Sequence, residues 1–180
     1  MKLNILKNEK IIEINGKTIR IPKLGLRHHE ILKEVRGHEE NMKLLLNSIH
    51  KNLSQAERDL VTVHLLHFNN KLKDSVVINE VEVFVLDTVI DQTLRFDHDG
   101  VSYRFKSPTS TEMADTIDGM LQKCCVSAKR DAVEIDIPDF LDMPAFVIGW
   151  AHKIADTLSL KTPNGYIRGL YDIVEVFNAD

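Results

Sequence analysis

The residues of this sequence that could bind a metal ion are scattered, and no complete set of ligands stands out. His64 and His67 are three residues apart in a predicted helix, a spacing that can hold a metal ion. No further ligand pattern or His-Glu-x-x-His signature accompanies them, so we interpret both as flank residues of a packed helix. Residues 97–100, Asp-His-Asp-Gly, are similar to a calcium loop, but Arg95 and Lys106 stand where an EF-hand requires acids. The sequence therefore predicts neither a metal site nor a cofactor.

The two cysteines are the candidate nucleophiles. Cys124 and Cys125 lie in the C-terminal half of a predicted helix, where the helix dipole disfavours a thiolate. Cys124 also falls on the apolar stripe of that helix, which favours core packing. Adjacent cysteines rarely meet disulfide geometry, so the pair indicates a reducing compartment.

Three acids close to prolines are the candidate acid–base groups. Asp136, Asp139 and Asp142 could in principle transfer protons, but they alternate with apolar residues, as at a solvated strand edge and a helix cap. No glycine-rich dinucleotide loop, Walker loop or Gly-x-Ser-x-Gly motif occurs. The sequence thus predicts no catalytic residue and favours a non-enzymatic, protein-binding chain. The alternative is a hydrolase whose site is assembled from distant residues, using Cys125 or these acids with a histidine.

Composition narrows the functional class further. The chain has 180 residues, with 27 acidic and 23 basic side chains and a formal charge of −4, whereas a general nucleic-acid binder usually carries a basic face. Residues 1–8 are too polar for a signal peptide. The longest apolar stretch, residues 144–151, is far shorter than the roughly 20 residues that span a bilayer. We expect a protein of a cytosol, with no nucleic acid and no integral membrane association.

The length fits a single domain over residues 1–180. Residues 65–76 are similar to residues 147–158, which leaves open a duplicated helix–strand module and two lobes, 1–106 and 107–180.

The first predicted element is a β-hairpin. Asn15-Gly16 is typical of a type I′ turn. The turn places four apolar side chains on one face of the hairpin: Ile12, Ile14, Ile19 and Ile21. Helices are predicted over residues 26–35, 38–53 and 55–72. The third opens with a capping box at residues 54–57, and its apolar residues cover more than one stripe, so we expect it to be central.

Strands are predicted over residues 76–106, which are rich in β-branched and aromatic residues. A second hairpin turns at Asp99-Gly100, and its register puts Arg95 opposite Arg104. This like-charge pair costs stability unless Asp97 or a partner's carboxylate compensates.

The last third of the chain is predicted to be mostly helical. A second capping box at residues 109–112 opens a helix that extends to about residue 128. A short strand at 133–137, a helix over 144–158 and an amphipathic helix after Pro163 follow. The predicted fold class is α+β, with an N-terminal β-hairpin, a helical bundle-like core, a central antiparallel β segment and C-terminal helices.

The order of these features carries a resemblance to a known family. A basic–apolar strand, Gly-Lys-Thr-Ile-Arg-Ile-Pro-Lys-Leu at residues 16–24, is followed by a short helix containing Glu30-Ile31-Leu32, a helical stretch up to residues 59–72 and a β segment at 84–105. Over roughly the first 110 residues, this order resembles the small baseplate hub assembly proteins of T-even-type contractile-tailed phages. The resemblance implies a role in the virion or its assembly, with no catalytic motif to carry over. It also implies that other baseplate and hub proteins are bound in the host cytoplasm, and that some members stay in the tail.

An assembly protein needs a surface for its partners, and two candidates stand out. The first is the apolar face of the final helix, formed by Ile167, Leu170, Val174 and Phe177. Deleting residues 166–180 would then leave a folded protein that no longer co-purifies with its partners. The second is the hairpin that carries Arg95 and Arg104. The sequence also leaves open an oligomer. For the function, a cytosolic adaptor without a phage connection is a further alternative.

Overall fold

The N-terminal hairpin follows from its sequence pattern. In this computed structural model, which describes residues 9–26, 28, 37–113 and 115–179, the first two strands pair with Ile12 opposite Ile19. Asn15 and Gly16 adopt φ angles of 50° and 76°, as a type I′ turn requires. The predicted hairpin is confirmed. The helix predicted over residues 26–35 lies almost entirely outside the described residues.

The helices and strands follow one another along the described chain in an α+β order, which confirms the predicted fold class. They are β1 (Glu9–Ile14), β2 (Lys17–Pro22), α1 (His38–Ile49), α2 (Gln55–Phe68), β3 (Ser75–Ile78), β4 (Val81–Phe84), β5 (Val89–Ile90), β6 (Arg95–His98), β7 (Val101–Phe105), α3 (Ser110–Met113), α4 (Ile117–Cys124), β8 (Cys125–Arg130), β9 (Val133–Ile135), α5 (Val147–Ala155), β10 (Leu158–Thr162), β11 (Gly165–Arg168) and α6 (Leu170–Phe177). Short 3-10 turns occur at Val85–Asp87 and Phe140–Asp142.

Helices α1 and α2 pack on the apolar face of the first hairpin. We call this core the N-terminal cluster; its buried members are Ile14, Ile19, Ile21, Leu45, Leu46, Leu53, Val61 and Leu65. The capping box of α2 is confirmed, since Ser54 and Glu57 each accept a hydrogen bond from the backbone N–H of the other. Val63 lies in a different cluster, so α2 is central, as its several apolar stripes predict.

The second core, the C-terminal cluster, forms around α6. It contains Val63, Leu72, Val83, Val85, Leu158, Leu160, Ile173 and Phe177. The β3–β4 hairpin and a three-stranded sheet ordered β11-β10-β5 contribute its strands.

The third core, the aromatic cluster, lies under a four-stranded antiparallel sheet ordered β6-β7-β8-β9. Its buried members are Phe96, Val101, Tyr103, Phe105, Met120, Leu121, Cys124, Cys125, Ala128, Phe140, Val147, Trp150, Ala151 and Ile154. Helices α4 and α5 supply the side that faces the sheet.

Two segments that are predicted to be helical belong to strands instead. The single helix predicted from residue 109 to about 128 is wrong: α3 and α4 are separate helices, because Thr116 caps a new helix by accepting a hydrogen bond from the Gly119 N–H. Helix α4 ends at Cys124, and Cys125–Arg130 pairs with β7 as a strand. Ile167 lies on β11 and not on the final helix, because Pro163 and Asn164 form the turn of a β10–β11 hairpin. In both places strand pairing with a neighbour overrides the local helical pattern.

The two similar segments both run from a helix into a strand: residues 65–76 lead from α2 into β3, and residues 147–158 lead from α5 into β10. Internal duplication and the single domain stay predictions. Within the described ranges, every helix is too short or too polar to cross a membrane.

Candidate functional site

The four-stranded sheet has one buried face and one open face. Residues alternate between the faces along each strand, so Phe96 and Tyr103 point into the aromatic cluster while their neighbours point away. The open face carries Arg95 and Asp97 on β6, Ser102 and Arg104 on β7, and Ser127 and Lys129 on β8. These side chains are polar, which is expected of a sheet face that meets water.

The buried face is held by closely packed rings. Trp150 of α5 stacks on Phe96, with ring centroids 4.9 Å apart and planes 14° apart. Tyr103 approaches the same indole, with centroids 5.2 Å apart, and Phe105 meets Phe96 edge-on at 5.7 Å. Such aromatic contacts stabilise a fold beyond the effect of burying apolar area, so they hold the strands behind the open face in place.

A groove of about 870 Å³ runs over the open face. Its lining includes Arg95, Asp97, Ser102, Arg104, Ser127 and Lys129. Across the strands these residues form two rows, because Arg104 pairs with both Arg95 and Ser127, and Ser102 pairs with both Asp97 and Lys129. The first row, Arg95, Arg104 and Ser127, is cationic. The second row, Asp97, Ser102 and Lys129, holds charges of both signs.

The predicted arginine pair is present. Arg95 lies directly opposite Arg104 in the strand register, and both side chains are exposed. Arg95 donates a hydrogen bond from Nε to the Ser102 hydroxyl at 3.1 Å. Neither arginine forms an ion pair with any other residue that the structure describes, so Asp97 does not supply the expected compensation.

The sequence pattern did not reveal Ser127 and Lys129 as part of this face. Ser127 falls in the helix predicted to extend to about residue 128 and Lys129 follows it, and only their pairing with β7 brings them beside the arginines. Residues 125–130, Cys-Val-Ser-Ala-Lys-Arg, lack the strict alternation of apolar and polar residues that indicates a strand, so the sequence carries no clear signal for this one.

The other predicted surface, on the final helix, is turned inward. Phe177 is fully buried, and Ile167, Leu170 and Val174 pack partly buried against the C-terminal cluster. The solvent side of α6 instead carries Tyr171, which is 77% exposed. The four predicted residues therefore pack the core in this structure, and their contact with a partner is a prediction that would require α6 to undock.

The two histidines of α2 have separate neighbours. The Lys10 ammonium donates towards Nδ1 of His64 at 3.4 Å, whereas Nε2 of His67 lies 2.6 Å from a carboxylate oxygen of Asp74. Burial and, to a lesser extent, electrostatic interactions with Lys10 and His67 lower the pKa of His64 to about 4. His64 is therefore neutral at physiological pH. Over residues 9–26, 28, 37–113 and 115–179, no three potential ligands converge on one point.

The cysteines and acids also have structural neighbours. Burial raises the pKa of Cys124 to about 11 and that of Cys125 above its ordinary value, so both are thiols at neutral pH. Cys125 lies on a strand and not in a helix, so the helix-dipole argument does not apply to it. Asp139 accepts a hydrogen bond from the Leu141 N–H at 2.9 Å and thereby caps a 3-10 turn.

Comparison of the sequence with known proteins assigns the chain to a family. A sequence profile described as the phage baseplate hub distal subunit matches residues 21–177. The chain belongs to this family. The baseplate hub assembly protein gp28 of Enterobacteria phage T4 is 41% identical to it over 179 residues, covering 98% of this chain and 99% of that protein. No solved structure matches the chain.

Membership of the baseplate hub distal subunit family confirms the resemblance predicted from the order of elements. It also confirms the predicted structural or assembly role in the phage baseplate. It removes the alternative of an adaptor without a phage connection.

Proposed function

We propose that this baseplate hub protein acts without catalysis, by contacting other baseplate and hub proteins while the hub is assembled in the host cytoplasm. One observation carries the proposal: the likeness to a baseplate hub assembly protein extends over 98% of the chain. A likeness of that extent includes the residues of the core clusters and of the sheet face alike.

The roles of the reactive side chains support a non-catalytic chain. Cys124 packs in the aromatic cluster, Asp139 caps a turn and His67 pairs with Asp74. Catalytic nucleophiles and bases need a neighbouring activating group and access to substrate, and a buried thiol with a raised pKa has the opposite properties.

Of the two predicted surfaces, the sheet face with Arg95 and Arg104 is the better candidate for contact with a partner. Both arginines are exposed, and arginine is enriched in protein interfaces. The final helix would have to leave the C-terminal cluster to present Phe177, at a large cost in buried area.

Tagged protein expressed during phage infection provides the test. We expect baseplate and hub proteins to co-purify with it, and a phage lacking the gene to produce incomplete baseplates that a plasmid copy restores. Immunoblots of purified virions then establish whether the protein stays in the tail. Recovery of no tail protein, together with normal baseplates in the deletion phage, would contradict the proposal.

The hydrolase alternative has its own test in the same complementation assay. The Cys125→Ala and Asp139→Asn variants remove the candidate nucleophile and a candidate acid without enlarging either side chain. We expect both to restore baseplates as the unaltered gene does. A variant that folds normally but fails to complement would favour the hydrolase.

A further inference from the structure

We infer that the groove over the open sheet face binds a carboxylate-rich segment of a partner protein, with Arg95 and Arg104 as its two anchoring cations. The inference rests on the proposed assembly function and deepens it by naming the chemistry of the partner. It begins from the register, which places two arginines side by side on the open face.

Directly opposed like charges destabilise a sheet. Here the cost is not offset within the described residues, because neither Arg95 nor Arg104 forms an ion pair there. A carboxylate from another chain that lies between the two guanidinium groups would convert this repulsion into two attractions. The free protein therefore carries an electrostatic strain that an acidic partner relieves.

Both guanidinium groups have hydrogen-bonding capacity to spare. A guanidinium has five N–H donors, and Arg95 uses only its Nε–H, in the bond to Ser102. Side chains directly opposite each other on paired strands are about 5 Å apart at Cβ. Two arginines at this distance can bind a single carboxylate together, or each can bind one of two neighbouring carboxylates. Arginine–carboxylate bonds are often bidentate, which adds orientation as well as strength.

The lining of the groove indicates how the segment would lie. The arginine row continues to Ser127, a neutral residue, whereas the next row holds Asp97 and Lys129 on either side of Ser102. Acidic side chains of a partner are favoured along the arginine row and repelled near Asp97. The groove therefore selects a segment whose acids follow one line across the strands.

The strands that form the groove are already ordered before a partner binds. The stacking of Trp150 on Phe96 and the packing of Tyr103 against the same indole fix the strands from behind. A site that is ordered beforehand loses less conformational entropy when it binds.

Protein carboxylates fit this groove better than the phosphates of a nucleic acid. Asp97 and Asp131 line the groove on the same side of the arginine row, so a nucleic acid, with a phosphate at every nucleotide, meets repulsion there, whereas a protein segment can confine its acids to the arginine row. Phe96, Tyr103 and Phe105 are buried in the aromatic cluster. These strands therefore offer bases no exposed ring on which to stack.

The first experiment measures binding of a fluorescent oligoglutamate peptide to the full chain by anisotropy, with a single-stranded oligodeoxythymidylate of equal charge as competitor. We expect the peptide to bind in a salt-sensitive manner and the Arg95→Gln/Arg104→Gln variant to bind about tenfold or more weakly. The Lys51→Gln/Lys161→Gln variant loses the same charge from exposed positions outside the groove and should bind as the unaltered protein does. Thermal melting verifies that each variant is folded, and the arginine variant should melt no lower than the unaltered protein because the repulsion is gone.

A reversal of charge makes the test specific. The Arg95→Glu/Arg104→Glu variant should lose oligoglutamate and gain affinity for an oligolysine peptide of equal length. Equal loss of binding in the arginine and lysine variants would overturn the inference, since net charge alone would then explain it. So would absence of arginine-dependent peptide binding, or tighter arginine-dependent binding of the oligodeoxythymidylate.

Co-purification from infected cells separates this inference from the proposed function. If hub proteins co-purify with the unaltered chain but not with Arg95→Gln/Arg104→Gln, both stand. If they co-purify equally with both, the assembly role stands and the groove inference is wrong. If they co-purify with neither, the proposed function itself fails.

Discussion

The hydroxyl of Thr157 donates a hydrogen bond to the carboxylate of Asp59, which lies 98 residues earlier in the chain. Both side chains are buried, and Gln55 donates to the other carboxylate oxygen at 2.7 Å. The contact joins the central helix α2 to the residue that precedes β10. A second link nearby, from the Gln92 amide to the Ile154 carbonyl at 2.6 Å, also spans the proposed boundary at residue 106. These bonds support the proposal that the chain is one domain and not two lobes.

Removing the hydroxyl of Thr157 should destabilise the protein. Thr157→Val leaves a buried carboxylate oxygen without its donor, which costs about 1–3 kcal/mol. Urea denaturation followed by circular dichroism measures the change. Thr18→Val is the matched control, because Thr18 donates to Glu13 at 2.6 Å on the exposed side of the first hairpin. For Thr18→Val we expect the free energy of unfolding to change by at most about 0.5 kcal/mol. Equal effects of the two substitutions would show that burial does not make the hydrogen bond from Thr157 to Asp59 more important for stability.

Asp59 should also make stability depend on pH. Burial raises the pKa of its carboxyl group, although the hydrogen bonds from Thr157 and Gln55 act in the opposite direction. The folded state therefore holds the proton more tightly than the unfolded state. The contribution of Asp59 to the free energy of unfolding is fully present below about pH 4 and is lost as pH rises through the raised pKa.

The measurement is the difference in free energy of unfolding between the unaltered protein and Asp59→Asn across this pH window. Taking the difference is necessary because the contribution of Glu57 to stability changes with pH in the opposite direction. Burial raises the pKa of Glu57, but the hydrogen bonds from Lys17, the Ser54 N–H and Asn15 outweigh burial and lower it. Its contribution is present above the ordinary pKa of glutamate and lost as pH falls. A difference that stays flat, or grows with rising pH, would contradict the assignment to Asp59.

The turn of the first hairpin should be coupled energetically to α2. The Lys17 ammonium lies 2.7 Å from the Glu57 carboxylate, whose side chain is only 4% exposed. A double-mutant cycle with Lys17→Met and Glu57→Gln should give a coupling energy of about 1 kcal/mol. Glutamine keeps the capping box, so the cycle isolates the ion pair.

The pair of Arg20 and Glu9 is the control for this cycle, because both side chains are more than half exposed and their atoms are 3.4 Å apart. Its coupling should be below about 0.5 kcal/mol. Coupling of similar size in both pairs would mean that burial of Glu57 does not strengthen its contact with Lys17.

Local signals were sufficient to predict the first hairpin and the capping box of α2. Asn15-Gly16 has the backbone freedom of a type I′ turn, and the side chains of Ser54 and Glu57 satisfy helix-terminal N–H groups within four residues of sequence. Such features depend only on neighbours along the chain. The opposition of Arg95 and Arg104 follows from the Asp99-Gly100 turn for the same reason, and the structure confirms it.

Strands without a recognisable turn could not be predicted in this way. The β8–β9 hairpin turns at Asp131 and Ala132, with φ of 50° and 66°, although alanine rarely adopts such values. Without a glycine or asparagine there, the sequence pattern predicts a helix that extends to about residue 128, across the start of this strand. The site was therefore only half predicted, because Ser127 and Lys129 join the arginines through pairing between distant segments.

The final helix should behave as part of the core. Phe177→Ala should cost about 3–5 kcal/mol because it empties a fully buried position. Tyr171→Ala, on the exposed side of the same helix, should change stability by at most about 0.5 kcal/mol. Thermal or urea unfolding compares the two directly.

Deletion of residues 166–180 extends the same prediction. It removes Ile173 and Phe177 from the C-terminal cluster and most of β11 from β10, so we expect the cooperative unfolding transition to be lost. Loss of co-purification after this deletion would then report unfolding and not a missing surface. A truncated protein with the native melting curve would instead favour the final helix as the contact for a partner.

The two cysteines should be unreactive while the protein is folded. Burial raises the pKa of Cys124 to about 11, and at pH 8 this leaves about one thiol in a thousand as the nucleophilic thiolate. Cys125 is also buried and its pKa is raised. Alkylation of Cys124 by iodoacetamide, followed by mass spectrometry, should therefore be at least about a hundredfold slower than that of glutathione. Alkylation of Cys125 should also be slower than that of glutathione, and both thiols should react promptly in urea. Rapid modification of either cysteine in the folded protein would reveal an activated thiolate, and the hydrolase would then become the better account of this chain.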